Sequence, residues 1–250
     1  MRVKKKLEKI IAVIIALAAW QLVCHRLGSS VLLASPVEVA ARVFSMMGQA
    51  DTWKTAALTL GKILSGLGLA IAAGCALSAL SARFRAFETL LWPYMAAIKS
   101  TPVASFIVLC LIWLSAGRLS TFIAFLMALP VIYQNMLTAF KGVDAAKLQM
   151  AKVFRMSPGK RILFIYIPGV KPYILSALSI ASGLAWKAGV AAEVIGIPVG
   201  SVGERLYEAK LYLDTRDLFA WTVIVVAASI LTERIIVYAV KRLYAALESI

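Results

Sequence analysis

Six stretches of this chain stay apolar long enough to cross a bilayer, and polar or basic segments separate them. A spanning helix needs about 20 mostly apolar residues. The stretches are residues 10–24, 55–80, 89–114, 119–139, 173–194 and 218–240, the third interrupted by Lys99-Ser100-Thr101-Pro102. Arg2, Lys4, Lys5, Lys6 and Lys9 precede the first, as in a signal peptide, but no A-x-A-like cleavage site follows it. Val23 also occupies the small-residue position of a would-be lipoprotein box at Gln21-Leu22-Val23-Cys24, so the stretch is expected to remain as an anchor. Between the first two stretches, Ser35-Pro36 offers a cap and a first-turn proline, which predicts an amphipathic helix. Residues 140–168 are too charged to span and too long for a tight turn. Within them, the run from Gln149 to Met156 reads as a helix that ends before Ser157-Pro158-Gly159.

Composition agrees. Of 250 residues, 62% are hydrophobic and only 16% charged, with a mean hydropathy of +0.87. Soluble domains run near 45–50% and 25%, and disordered chains lack such apolar content. The expectation is an all-α polytopic membrane protein forming one transmembrane domain over residues 1–250. The net charge of +15, from 27 Lys and Arg against 12 Asp and Glu, would suggest nucleic acid in a soluble protein. Here its placement matters more. With the N-terminus inside, 17 of the 27 basic residues fall in segments facing the cytoplasm, seven of them from Lys141 to Lys171. Lysine and arginine favour that side, so the charge reads as topology, with both termini cytoplasmic.

Several chemistries are absent. Cys24, Cys75 and Cys110 lie far apart in apolar runs, which suits buried small hydrophobes and no disulfide framework. His25 is the single histidine, so a His-rich metal site or an HExxH motif is excluded. No GxxxxGK[ST] loop is present; Gly159-Lys160 lacks the upstream glycine and the following Ser or Thr. No cluster of catalytic polar residues shares one leaflet, so the chain is not read as an enzyme.

The second stretch carries Gly66, Ala70, Gly74, Ser78 and Ala82 at every fourth position, a face without bulk that lets another helix approach closely. That face serves packing within one subunit or a subunit interface. Pro93, Pro102 and Pro130 predict bent or broken helices, which are tolerated where they line a cavity. Lys62, Lys99, Lys187 and Glu193 fall in or beside spans, where ionisable groups face a cavity or a partner. Together with Pro102 and Trp186 they are the candidates for a translocation path or gate. Glu193 could close an internal salt bridge with Lys62 or Arg118. Lys187 and Glu193, six residues apart, lie about 240° apart around a helix and do not pair. Lys99 and Lys187 suit an anion in transit, or snorkel to an interface. Trp186 reads as a packing or interfacial aromatic. Gly196, Gly200 and Gly203, with Pro198, predict a turn before a helix over residues 204–213, either a docking surface or an ordinary solvated segment.

The chain resembles the inner-membrane permease subunits of binding-protein-dependent ABC importers, and among them the nitrate/sulfonate/taurine group. That family's cytoplasmic loop carries Glu-Ala-Ala, three residues, Gly, nine residues, then Ile-x-Leu-Pro. Anchored on Ile165-Tyr166-Ile167-Pro168, the Glu-Ala-Ala position falls on Gln149-Met150-Ala151 and the glycine position on Arg155. Only Ala151 and Pro168 match outright. Leu33-Ala34-Ser35-Pro36, Ser100-Thr101-Pro102, Pro172-Tyr173, Ala185-Trp186, Ala192-Glu193 and Gly200-Ser201-Val202-Gly203 follow the family's order from about residue 30 to 240.

The resemblance implies a type I permease with six spans and a short cytoplasmic coupling helix near residues 149–155, in a prokaryotic inner membrane. It implies a second permease copy, two ATPase subunits that hold ATP and magnesium, and an extracellular substrate-binding protein. Gln149, Met150, Ala151, Arg155 and Pro168 are then the ATPase-coupling residues. The expected cargo is a small polar nutrient, an anion such as a sulfonate or nitrate, taurine, or a vitamin precursor. The competing reading is a stand-alone secondary transporter driven by an ion gradient. On physics alone, the basic helix near residue 150 could equally rest on lipid headgroups.

Overall fold

A computed structural model describes residues 2–27 and 33–248. Of the N-terminal basic cluster, the side chains of Arg2, Lys4, Lys5, Lys6 and Lys9 lie outside the described residues. The described chain is helical throughout, with no strand. In order the helices are α1 (Arg2–Leu27), α2 (Pro36–Met47), α3 (Ala50–Arg83), α4 (Arg85–Ser100), α5 (Val103–Cys110), α6 (Ala116–Lys141), α7 (Ala145–Val153), α8 (Pro158–Arg161), a π-helical turn (Ile162–Tyr166), α9 (Ile167–Gly196), α10 (Val202–Leu211) and α11 (Thr215–Glu248). Five helical segments are long and apolar enough to cross a membrane, and α4 with α5 makes a sixth, bent by 103°.

The helices outrun the apolar stretches. Apolarity marks what lipid can cover, whereas backbone hydrogen bonding carries on into polar flanks. Thus α3 has 34 residues, about 51 Å at the helical rise, against a hydrocarbon core of about 30 Å. Of the three prolines expected to bend helices, only Pro102 coincides with a break; α4 and α6 run on through Pro93 and Pro130. Thr101, preceding the proline, is extended with ψ 132°, as the ring of the next residue demands. Helix α2 opens with a capping box, in which Ser35 Oγ accepts from the Glu38 N–H and Glu38 Oε2 accepts from the Ser35 N–H.

Helix α6 is the centre of the bundle, packed along its length by α3 on one side and α9 on another. The small face of α3 explains the first contact. A Cβ at Gly66 would come within 2.3 Å of the Thr121 carbonyl, and one at Gly74 within 2.8 Å of Ile132. The small-residue stripe therefore serves packing within the subunit. It ends at Ser81, whose hydroxyl accepts from Tyr133 of α6 at 3.0 Å, while Ala82 is exposed. Four turns beyond Gly66 fall nearer 81 than 82, because 3.6 residues per turn is not four. Helices α2 and α10 lie against α11, where Met46, Val202, Ala220 and Trp221 form a second core. Arg42 of α2 is ion-paired with Asp217 of α11, its Nη2 donating to Oδ2 at 2.9 Å.

Two expected helices shift. The one read over residues 149–156 runs from Ala145 to Val153, because the Asp144 carboxylate accepts from the Ala146 N–H and starts it four residues earlier. Phe154, Arg155 and Met156 fall in the turn that ends it. The one read over 204–213 is Val202–Leu211, because Ser201 Oγ accepts from the Glu204 N–H at 3.1 Å.

Candidate functional site

The expected path residues divide between two places. Glu193, near the end of α9, is fully buried. Its Oε2 accepts from Thr59 Oγ1 at 2.8 Å and from the Gly203 N–H at 3.3 Å, and its Oε1 lies 3.5 Å from Lys62 Nζ. Thr59 Oγ1 in turn accepts from the Val202 N–H at 3.0 Å. With Ser201 as cap, Val202 and Gly203 are the first two residues of α10, whose N–H groups have no partner within the helix. Glu193 and Thr59 supply those partners from two other helices, and the carboxylate sits at the positive end of the α10 dipole. Gly203 makes this possible: a Cβ there would come within 2.2 Å of the Glu193 Cβ. Of the two salt-bridge partners considered for Glu193, the structure selects Lys62. Sequence reasoning missed Thr59 and the close approach of Gly203.

The second place is a cavity of about 460 Å³ where the α4–α5 break meets α6 and α9. Lys99, Thr101 and Lys187 line it together with apolar residues, Pro130 among them. Lys187 is exposed although its neighbours Trp186 and Ala188 are buried. Six residues therefore carry Lys187 and Glu193 to different sites on one helix. Pro102 stands at the break, at the start of α5. Trp186 faces the main core, 2% exposed. Two further cavities adjoin this one in series. One of about 280 Å³ shares Lys99, and one of about 630 Å³ is joined to it through Glu88 and Trp92. The last opens among Arg83, Arg85 and Lys141, and Lys141 Nζ donates to Glu88 Oε2 at 2.5 Å. The three hollows, sharing Lys99, Glu88 and Trp92 as borders, thus follow α4 toward the end where α6 meets α7. A spanning carboxylate that the sequence reading passed over, Glu233 of α11, accepts from Ser179 of α9; its sequence signal is an acid inside an apolar run.

Helix α7 stands apart, lying along no other helix of the described bundle. Gln149 and Met150 are exposed and Ala151 is fully buried. The apolar tip consists of Met150, Val153 and Phe154, 51%, 78% and 72% exposed. Arg155 takes φ 49°, the left-handed region. Its N–H donates to Lys152 O at 3.0 Å, and that of Met156 donates to Ala151 O at 2.9 Å, the two bonds of a Schellman ending. Glycine is the usual residue at that position, and Arg155 is where the family motif places its glycine. Pro168 lies in the first turn of α9, after the π-helical turn.

A helical bundle with a broken span, hollows along α4 and a helix projecting at one end has the form of a multi-pass membrane transport subunit. Residues 66–247 match the family described as binding-protein-dependent transport system inner membrane component, and the chain belongs to that family, with the type I ABC permease fold. A bicarbonate transport system permease protein of Synechocystis is 26% identical over 76% of this chain and 68% of its own length. The taurine transport system permease protein of Escherichia coli is 24% identical over 86% of this chain and 80% of its own. A Bacillus subtilis relative named for aliphatic sulfonates transport is 24% identical over 89% and 80%.

Proposed function

We propose that this chain, as one permease domain over residues 1–250, is the translocation subunit of an ATP-driven importer for a small anion. Two copies work with two ATPase subunits at the α7 end, which faces the cytoplasm with both termini. An extracellular binding protein delivers substrate at the α10 end. The observation that carries the reading is the exposed apolar tip of α7 on a helix that lies along no other. Such a surface suits a groove on a partner protein. An anionic cargo is supported by the relatives named for bicarbonate and for aliphatic sulfonates.

The mechanism follows from continuity. Helix α9 begins at Ile167, shortly after α7 and α8, carries Lys187 on the cavity, and ends at the Glu193 network. Nucleotide-driven movement of the ATPase displaces α7, and α9 transmits that displacement past the cavity. The bundle then switches between outward- and inward-open states, a two-state element biased by nucleotide. Gln149, Met150, Arg155 and Phe154 make the contact, Ala151 holds α7 in shape, and Pro168 directs the chain into α9.

Phe154→Asp and Arg155→Glu test this in the assembled transporter. Uptake driven by ATP should fall at least tenfold, and stimulation of ATPase activity by the loaded binding protein should vanish. Unchanged substrate-stimulated ATPase in both variants would overturn the coupling role of α7. Uptake that ignores ATP and follows an ion gradient would replace the importer with a stand-alone carrier.

A further inference from the structure

We infer that the cavity lined by Lys99 and Lys187 is a charge-selective subsite for an organic oxyanion, a carboxylate or sulfonate on a short apolar chain without a cationic group. The inference rests on the reading of this chain as a translocation subunit and names which anions its path accepts.

The charge balance of the cavity comes first. Two lysines and no carboxylate line it. Among the described residues, the nearby acids are engaged elsewhere: Glu193 with Thr59 and Lys62, Glu88 with Lys141, and Glu233 with Ser179. Neither Lys99 nor Lys187 has an ion-pair partner among the described residues. Unpaired cations at membrane depth are costly and are relieved by a counter-charge. Position adds to this. Lys187 is nine residues short of the end of α9, about 14 Å along the axis, so it lies well inside the span. Backbone adds a third positive feature. Helix α5 starts at the break with no side-chain cap, and its first residue, Val103, lines the cavity. The N-terminal ends of broken helices carry partial positive charge and serve anionic groups at mid-membrane sites.

The walls then restrict the anion. Apart from Lys99, Thr101 and Lys187, the lining is apolar, with Val103, Met127 and Leu184 among it. A short aliphatic chain covers that surface, whereas a small hydrated inorganic anion leaves it wet. A zwitterion carries its own ammonium into a space with two lysines and no acid, where like charges disfavour it.

Propane-1-sulfonate and taurine form a matched probe pair, nearly equal in shape and differing in a terminal methyl against an ammonium. Binding of each to the full-length permease in nanodiscs, read by saturation-transfer NMR and titration, tests the inference. Propane-1-sulfonate should bind at least tenfold more tightly than taurine or bicarbonate. Lys99→Met and Lys187→Met should each weaken it about tenfold, the double variant should abolish it, and Lys→Arg at either position should retain it. Equal or tighter binding of taurine overturns the inference without any variant being needed. So does binding indifferent to both lysines in variants that remain monodisperse, and so does the absence of propane-1-sulfonate binding to the unaltered protein. Binding requires no ATPase, so loss of ATP-driven uptake with this pattern intact would overturn the importer reading alone.

Discussion

The two ends of α9 are held in opposite ways. At one end, Glu193 joins residues far apart in sequence: Thr59 and Lys62 of α3, and the Gly203 amide of α10. Every polar group there is buried or partly buried, and each hydrogen bond crosses between elements. At the other end, α7 is closed by its own residues, with Asp144 at its start and the Arg155 turn at its finish, and its tip of Met150, Val153 and Phe154 faces outward. The first arrangement fixes three helices relative to one another. The second leaves a self-closed helix whose exposed apolar tip is the surface proposed to dock on a partner protein. A subunit that transmits movement needs both, since a lever without a fixed end turns the whole bundle.

The strongest way to break that contrast is Glu193→Ala. It leaves the Lys62 ammonium unpaired and strips Thr59 Oγ1 and the Gly203 N–H of their acceptor. Removing one partner of a buried pair costs about 3–5 kcal/mol, so the detergent-solubilised protein should melt several degrees lower. Glu193→Gln should lose less, because an amide oxygen can still accept from Thr59 and Gly203 while only the Lys62 contact is lost. If Ala and Gln melt alike, the carboxylate's bonds to α10 do not hold that end.

Gly203→Ala tests the same end through shape. The added methyl meets Glu193 Cβ at 2.2 Å and backbone atoms at 2.4 and 2.5 Å, which no rotamer can avoid. Overpacking of this kind costs about 1–3 kcal/mol. The helix must lift away from Glu193, so protection of α10 amides in hydrogen exchange should drop with it. Gly159→Ala is the control beside α7: nothing lies within 4 Å of that position, and the melting temperature should not move.

How far sequence reaches also differs between the ends. The apolar stretches, the break at Pro102 and the basic segment between the fourth and fifth spans follow from local composition, and each has a counterpart in the helices. The α7 helix is legible because its structure is local, although the Asp144 cap moves its start from 149 to 145 and the Arg155 turn moves its end from 156 to 153. The outward orientation of Val153 and Phe154 was not legible, since apolar residues in a short helix usually face inward. At the Glu193 end a lone acid near a span pointed to some partner, but Thr59 is an ordinary residue of an apolar helix. Its role exists only once α3, α9 and α10 are brought together. The shared cavity of Lys99 and Lys187 is likewise a product of tertiary packing, since 88 residues separate the two lysines.

The smallest predicted effect sharpens the comparison from the α7 side. Arg155 holds φ 49° in the Schellman turn, a conformation that costs a side chain with a Cβ about 1–2 kcal/mol and glycine almost nothing. Arg155→Gly removes that strain, but glycine also gives up more freedom on folding, so the net gain is about 1 kcal/mol or less. Because α7 lies along no other described helix, the gain should stay local. Amides that close the turn, those of Arg155 and Met156, should exchange up to about fivefold more slowly, while the melting temperature of the bundle stays within error. Glu193→Ala should show the reverse, a change in global melting with the exchange of the α7 turn untouched. A substitution at either end that moved both readouts would mean that the ends of α9 are not held independently.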